Sequence, residues 1–344
     1  MSDLLLRLLA ERRWLLADGA TGTNLFAAGL RSGDAPELWN LERPDPVRDL
    51  AAAFVAAGSD IILTNTFGGT RNRLKLHGAE NRVDEINRAG AGIARAVADA
   101  ARRPVVVAGS MGPTGDLYEP LGPLSIAEGT AIFAEQATAL AAGGVDVLWI
   151  ETVSSIEELS AAVAGAGATG LPIVCTLSFD TNGCTMMGVT PARAADIVHG
   201  LSPRPLAYGA NCGTGAADLM VALLGLRAAA RPGDVLVAKS NCGVPEFVDG
   251  AVQYQGTPAL MANYARLAFD AGARIIGGCC GTTPDHIRAM RTALETHEPG
   301  PVPDLDTVTQ HLGPITAGAA ARAGNEPPPT AAGGGPRRRR RSRT

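Results

Sequence analysis

Eight short β-prone runs, each followed by a helical stretch, constrain this chain more than any other feature. The runs are Trp14–Ala20, Asp60–Thr66, Val105–Gly112, Val145–Thr152, Pro172–Phe179, Leu206–Gly213, Asp234–Gly243 and Arg274–Gly281. Between them lie Ala- and Leu-rich segments with helical spacing, such as Asp84–Ala100, Ser125–Ala142, Ile156–Ala166 and Pro258–Ala271. Several open with helix-start signals: Ser125 with Glu128 three residues on, or Thr283-Pro284 before Asp285. Continuous apolar strands alternating with helices point to a parallel sheet covered on both faces. Eight such units predict an α/β fold of the (β/α)8 TIM-barrel type. A doubly wound open sheet shares the alternation, because counting repeats does not show closure.

The ends of the runs carry the chemistry. Asp18-Gly19, Asn65-Thr66, Ser110-Met111-Gly112, Glu151-Thr152, Ser178, Asn211-Cys212, Asn241-Cys242 and Cys279-Cys280 all fall at C-terminal ends. In a barrel those ends ring one mouth, from which catalytic groups come. Polar residues at the end of every strand have no use in a packed core.

The barrel is expected to occupy residues 1–297. Pro299–Pro303 begins an extension over 298–316, in which Asp304–Leu312 forms a short helix against the barrel. Residues 317–344 are rich in Ala, Gly and Pro and end in an Arg run, a composition expected to stay disordered. Six arginines lie between Arg337 and Arg343, so the net charge of −4 conceals a body near −10. A body that acidic argues against nucleic-acid binding, and the Arg run reads as a solvated tail. The longest apolar runs are strand-sized, which argues against a membrane span. Arg7, Glu11, Arg12 and Arg13 interrupt the apolar residues of Met1–Leu16, suiting an amphipathic helix rather than a signal peptide. A cytoplasmic location follows as an expectation, and with it reduced thiols.

Six cysteines are too few for a disulfide scaffold in a chain of 344 residues, so each is read by its setting. Cys175 lies inside an apolar run and reads as a small buried hydrophobe. Cys184 sits in a loop. Cys279 and Cys280 are adjacent, a spacing that resists a mutual disulfide but lets both thiolates grip one soft metal ion. Side chains alternate along a strand, so both face one ion only if the strand breaks there, and Gly277, Gly278 and Gly281 make that break cheap. A third thiolate can come from Cys212 or Cys242, since each stands in an Asn-Cys-Gly triplet at a strand end. Spacing does not choose between them. Three thiolates leave one position of a tetrahedral zinc ion open, the mark of a catalytic centre.

Asp18-Gly19-Ala20-Thr21-Gly22-Thr23, Asn65-Thr66-Phe67, Gly109-Ser110-Met111-Gly112-Pro113, Glu151-Thr152, Gly209-Ala210-Asn211-Cys212-Gly213 and Gly277-Gly278-Cys279-Cys280-Gly281-Thr282 together resemble the homocysteine S-methyltransferase family. The resemblance runs from about residue 12 to 295 and covers every strand end. It implies a barrel with Zn2+ held by Cys212, Cys279 and Cys280, which sets Cys242 aside. It further implies Asn241 as a fourth metal ligand until substrate displaces it. Glu151 corresponds to the family's homocysteine-binding acid and Asp18-Gly19 to its first-strand pair, and the Glu151 and Asp18 carboxylates are expected to pair with or orient the substrate ammonium. Backbone N–H groups near Gly19 and Ser110 are expected to receive the substrate carboxylate. The resemblance leaves room for a homo-oligomer.

Ser32–Asn40 and Met186–Thr190 resemble the bacterial branch described as betaine-dependent, which implies methyl transfer from betaine to homocysteine, giving methionine and dimethylglycine. Quaternary ammonium ions are held against aromatic faces, which nominates Trp39 and Phe67, with Tyr118 nearby. One departure stands out: the animal betaine enzyme follows its Phe with a donor-binding Tyr, whereas Gly68 follows Phe67 here. S-methylmethionine, dimethylsulfoniopropionate or a partner corrinoid or folate protein are the alternative donors. A non-enzymatic binding protein steered by the Arg tail is the reading from a different class.

Overall fold

The computed structural model describes residues 3–243, 245–248 and 251–323. Among the described residues ten strands form in chain order: β1 (Leu15–Leu16), β2 (Ile61–Leu63), β3 (Val106–Met111), β4 (Val147–Val153), β5 (Ile173–Leu177), β6 (Ala207–Cys212), β7 (Leu236–Ser240), β8 (Pro245–Val248), β9 (Ala251–Tyr254) and β10 (Ala273–Gly278). Eight of them make one parallel sheet in the order β1-β10-β7-β6-β5-β4-β3-β2. A parallel bridge between Ala17 and Ile61 joins its two ends, so the ring closes as a (β/α)8 barrel. Closure excludes the open-sheet alternative.

The strands are apolar on both sides because both are buried. Their inward residues, among them Leu15, Ala17, Ile61, Val106, Ala108, Val147, Trp149, Val174, Ala207, Val237 and Ile275, form one cluster that fills the barrel. The helix Leu4–Glu11 adds Leu5, Leu8 and Leu9 to that cluster and so plugs the end where the strands begin. The outward residues make a larger cluster with the surrounding helices. Beneath the plug, the fully buried Asp60 carboxylate pairs with Arg12, Arg103 and Arg291 and accepts the Leu16 N–H, tying four segments together. A charge so deep is tolerable only because it is paired and hydrogen-bonded.

Helix starts follow the sequence signals. Ser125 caps Ile126–Ala142 in a complete capping box with Glu128. Beyond the barrel, Asp304 caps the helix Leu305–Leu312, which buries Val308 and Leu312. Two differences from expectation stand out. The run expected to continue to Gly243 stops at Ser240, and an antiparallel hairpin of β8 and β9 follows before the helix Pro258–Asp270. Residues 317–323, expected in the disordered tail, form a helix with Ala319 buried, so the boundary at 316 moves outward. The remainder of the expected tail lies outside the described residues. Among the described residues, no helix is long and apolar enough to cross a membrane.

Candidate active site

The thiols of Cys212, Cys279 and Cys280 lie within 4.8 Å of one another at the C-terminal ends of β6 and β10. Cys212 Sγ and Cys280 Sγ are 3.8 Å apart. Two thiolates on a tetrahedral zinc ion, at Zn–S of about 2.3 Å, stand about 3.8 Å apart, so the spacing suits one ion. The backbone is bent to achieve it. Cys212 adopts φ 62° and Thr152, two strands away on β4, φ 65°, a left-handed conformation that is costly for residues with a Cβ. Beyond β10, Gly281 turns the chain at φ 78° and both adjacent thiols face the same point. Crowded sulfurs compete for protons. Hydrogen bonds from Cys212 and Cys279 depress Cys280 to about 3, while the hydrogen bonds to Cys279 and Cys280, together with burial, drive Cys212 upward. A cation that replaces the shared protons removes that competition.

Cys242 takes no part. Its thiol donates to the Gly256 carbonyl at 3.0 Å and lies 3.2 Å from His286 Nε2, buried behind the metal-facing loop. Its backbone N–H donates to the Cys280 carbonyl at 2.8 Å, so it supports the ligand loop from the rear. Asn241 braces the same loop: its Oδ1 accepts the Cys280 N–H at 3.0 Å, and its Nδ2 donates to the Gly213 carbonyl at 2.7 Å. Both ends of the amide are engaged, so a ligand role for Asn241 requires its oxygen to be shared or released. Asn211, one residue before Cys212, holds Thr152 through two 2.8 Å hydrogen bonds and reaches Cys279 Sγ at 3.8 Å. Cys175 is buried and pushed up to about 12 by that burial, in keeping with an inert core thiol.

Beside the thiols, Ser110 Oγ donates to Glu151 Oε1 at 2.5 Å. Burial raises the Glu151 carboxyl to about 7, against the pull of Lys239. Asp18 is also buried, and both its oxygens have partners: Oδ1 is 2.9 Å from Lys239 Nζ and Oδ2 accepts the Leu63 N–H at 2.7 Å. Gly19 lies so close to the Thr282 carbonyl that a Cβ there would stand 2.5 Å from it, which explains the Asp-Gly order. Lys239 is the functional residue that sequence reasoning missed. Its side chain is 98% buried, and the two carboxylates hold its ammonium above its ordinary value despite desolvation. The available signal was a lone charge in the apolar run Leu236-Val237-Ala238-Lys239-Ser240.

A cavity of about 490 Å3 connects these groups, within the usual range for small-molecule sites. Gly19, Ser110, Glu151, Lys239 and the three thiols line it, and so does Phe67. Asp18 and Trp39 do not. Trp39 packs with Leu25, Leu30 and Val47, and the Arg43 guanidinium covers its ring at 4.1 Å. Tyr118 also lies outside the cavity lining. The loops after β1 and β2 bring further lining residues that the sequence reading did not single out: Phe26, Glu37, Arg73 and His77. Glu37 is buried, accepts the Gly68 N–H at 2.6 Å, and is raised by burial against the pull of Arg73 and His77. In the ring order, β2 stands four places from β6, so these groups face Cys212 across the mouth.

The sequence profile described as homocysteine S-methyltransferase matches residues 15–294. The chain belongs to the homocysteine S-methyltransferase family. Among solved structures, the homocysteine methyltransferase MmuM from Escherichia coli is similar in its metallated form, with a TM-score of 0.71 and 25% identity. That match covers 84% of this chain and 99% of the other. The oxidized form of MmuM gives a TM-score of 0.70 at 26% identity. The methionine synthase of Mycobacterium leprae is 32% identical over 316 residues, which is 87% of this chain and 26% of the synthase. That of Mycobacterium tuberculosis is 32% identical over 301 residues, 83% of this chain and 25% of the synthase. The chain thus spans about a quarter of the length of these curated relatives. Family membership does not separate betaine-dependent members from others.

Proposed function

We propose that this protein transfers a methyl group from S-methylmethionine to homocysteine at a zinc ion held by Cys212, Cys279 and Cys280. The observation that carries the reading is the triangle of three thiols opening onto a cavity that also holds the Glu151 carboxylate. When bound, zinc supplies the Lewis acidity that deprotonates a substrate thiol near neutral pH. Glu151, oriented by Ser110, receives the homocysteine ammonium. The backbone bend at Cys212 and the braces from Asn211 and Asn241 keep the three thiols converged before substrate arrives. The homocysteine sulfur attacks the donor's methyl carbon in line. The methyl–sulfur bond of the donor breaks and its electron pair stays on the leaving sulfur. The thiol proton goes to solvent, and two methionine molecules result.

The choice of S-methylmethionine over betaine, the expectation from the sequence, rests on the mouth of the cavity. A betaine site needs an aromatic enclosure, but Trp39 stands outside, and among the described lining residues Phe26 and Phe67 alone offer aromatic carbocyclic faces. Glu37, Arg73 and His77 instead offer one carboxylate, one guanidinium and one imidazole. A buried carboxylate is best satisfied by a charged N–H donor. S-methylmethionine has one on its α-ammonium, and betaine has none. Similarity to MmuM, described as a homocysteine methyltransferase, over 84% of this chain supports the methyl-acceptor side of the reading.

A donor panel tests this reading. Purified zinc-loaded protein, homocysteine and one donor at a time are assayed for methionine. S-methylmethionine is expected to exceed betaine and dimethylsulfoniopropionate in kcat/KM by on the order of tenfold or more. Higher kcat/KM with betaine overturns the donor assignment while leaving the homocysteine assignment in place.

A further inference from the structure

We infer that Lys239 is the receptor for the α-carboxylate of the amino-acid thiol, and that Asp18 acts through it instead of touching substrate. The inference rests on the homocysteine reading above and extends it to the specificity of the pocket. Lys239 has no counterpart in the expected site, which assigned the carboxylate to backbone N–H groups and Asp18 to the ammonium.

Position comes first. Val237 belongs to the cluster inside the barrel, and side chains two residues apart share a strand face, so Lys239 stands one layer above it. By the same count, Glu151 stands above Trp149, and Ser110 above Ala108. Ser110, Glu151 and Lys239 therefore form the top layer of the barrel interior and the floor of the cavity, which all three line. The Lys239 ammonium also lies 5.6 Å from the centre of the Trp149 ring beneath it.

Charge comes second. An ammonium carries three donors. The acceptors recorded for Lys239 are both on Asp18, Oδ1 at 2.9 Å and the backbone carbonyl at 3.4 Å. Asp18 in turn spends its other oxygen on the Leu63 N–H. Both Asp18 oxygens are thus engaged and Asp18 is off the cavity wall, while Lys239 is on it with, among the described residues, one N–H to offer. Two carboxylates and one ammonium give the floor a net charge of −1. The ammonium of an α-amino acid neutralises that charge at Glu151, and its carboxylate then meets the only lysine lining the cavity among the described residues. A floor built only to fill space has no reason to bury three charges. A zwitterion uses all of them.

The test compares L-homocysteine with 3-aminopropanethiol, which keeps the thiol and ammonium but lacks the carboxylate. Binding to zinc-loaded protein is measured by calorimetry for wild type, Lys239→Met, Lys239→Arg and the double variant Asp18→Asn/Lys239→Met. The double variant removes both partners of the buried pair, so neither is left uncompensated. Wild type should prefer homocysteine by on the order of 10- to 100-fold. That preference should collapse towards unity in Lys239→Met and in the double variant, with little change for 3-aminopropanethiol, and Lys239→Arg should restore part of it. An unchanged preference in either folded variant overturns the inference, as does equal affinity in wild type. Wild-type protein that binds neither thiol overturns the homocysteine reading, and this inference falls with it.

Discussion

Cys280→Ser protein is expected to purify without stoichiometric zinc and without methyl-transfer activity. Cys280 supplies one corner of the sulfur triangle, and Cys212 Sγ lies 3.8 Å from it. Removing a residue that merely orients a ligand typically costs 10–100-fold in metal affinity, roughly, and loss of a ligand thiolate should exceed that. The informative control is Cys242→Ser. Cys242 occupies a near-copy of the Asn-Cys-Gly triplet of Cys212, yet its thiol points to Gly256 and His286. A serine hydroxyl can still donate to the Gly256 carbonyl, so this variant should hold a full complement of zinc. Elemental analysis with chelator competition reads both. Zinc retained in Cys280→Ser, or lost in Cys242→Ser with the fold intact, would show that the ligand set is wrong.

Glu151→Gln is expected to weaken homocysteine binding by about 100-fold and to remove the part of its pH dependence that the carboxyl contributes near neutrality. Burial lifts the Glu151 carboxyl to about 7 in the free protein. The carboxylate form is the one that receives an ammonium. The sign follows directly: as pH falls below 7, a rising fraction of Glu151 is protonated, and homocysteine affinity drops by up to about tenfold per pH unit. Above pH 7 this contribution is fully present. Release of the thiol proton adds a pH dependence of its own, but it is shared by both proteins. The difference between wild-type and Glu151→Gln affinities, measured calorimetrically between about pH 6 and 8, isolates the carboxyl. A constant ratio across that range would contradict the assignment of Glu151 to the ammonium.

The barrel was legible because its signals are local and repeated. Apolar runs, caps such as Ser125 with Glu128, and polar strand ends each report their own neighbourhood. The hairpin of β8 and β9 had a local signal too, an Asp-Gly pair at 249–250 flanked by β-prone residues, but the barrel count absorbed it into a loop. Residues 317–323 misled through composition: an Ala- and Gly-rich stretch reads as solvated until a partner surface buries Ala319.

At the site, spacing could nominate Cys212 and Cys242 equally, because the decision depends on where each thiol points. That direction is set by the φ of 62° at Cys212 and by the pairing of Cys242 with Gly256, and neither is written in a triplet. Asp18 stands off the cavity lining for a related reason. Its partner, Lys239, lies 221 residues away and meets it only when β7 and β1 take their places on either side of β10. Trp39 was nominated for its ring alone, and the interior surrounding Leu25, Leu30 and Val47 took it instead.

The central claim is a direct transfer between two sulfur atoms on one polypeptide. Zinc-loaded protein, with no other protein present, is given unlabelled homocysteine and S-methylmethionine deuterated on both S-methyl groups. Mass spectrometry of the product is expected to show that every methionine formed carries one trideuterated methyl group, with two methionine molecules formed for each homocysteine consumed. Homocysteine left unmethylated by fully zinc-loaded protein, with this donor and with every other small onium donor, would contradict the account.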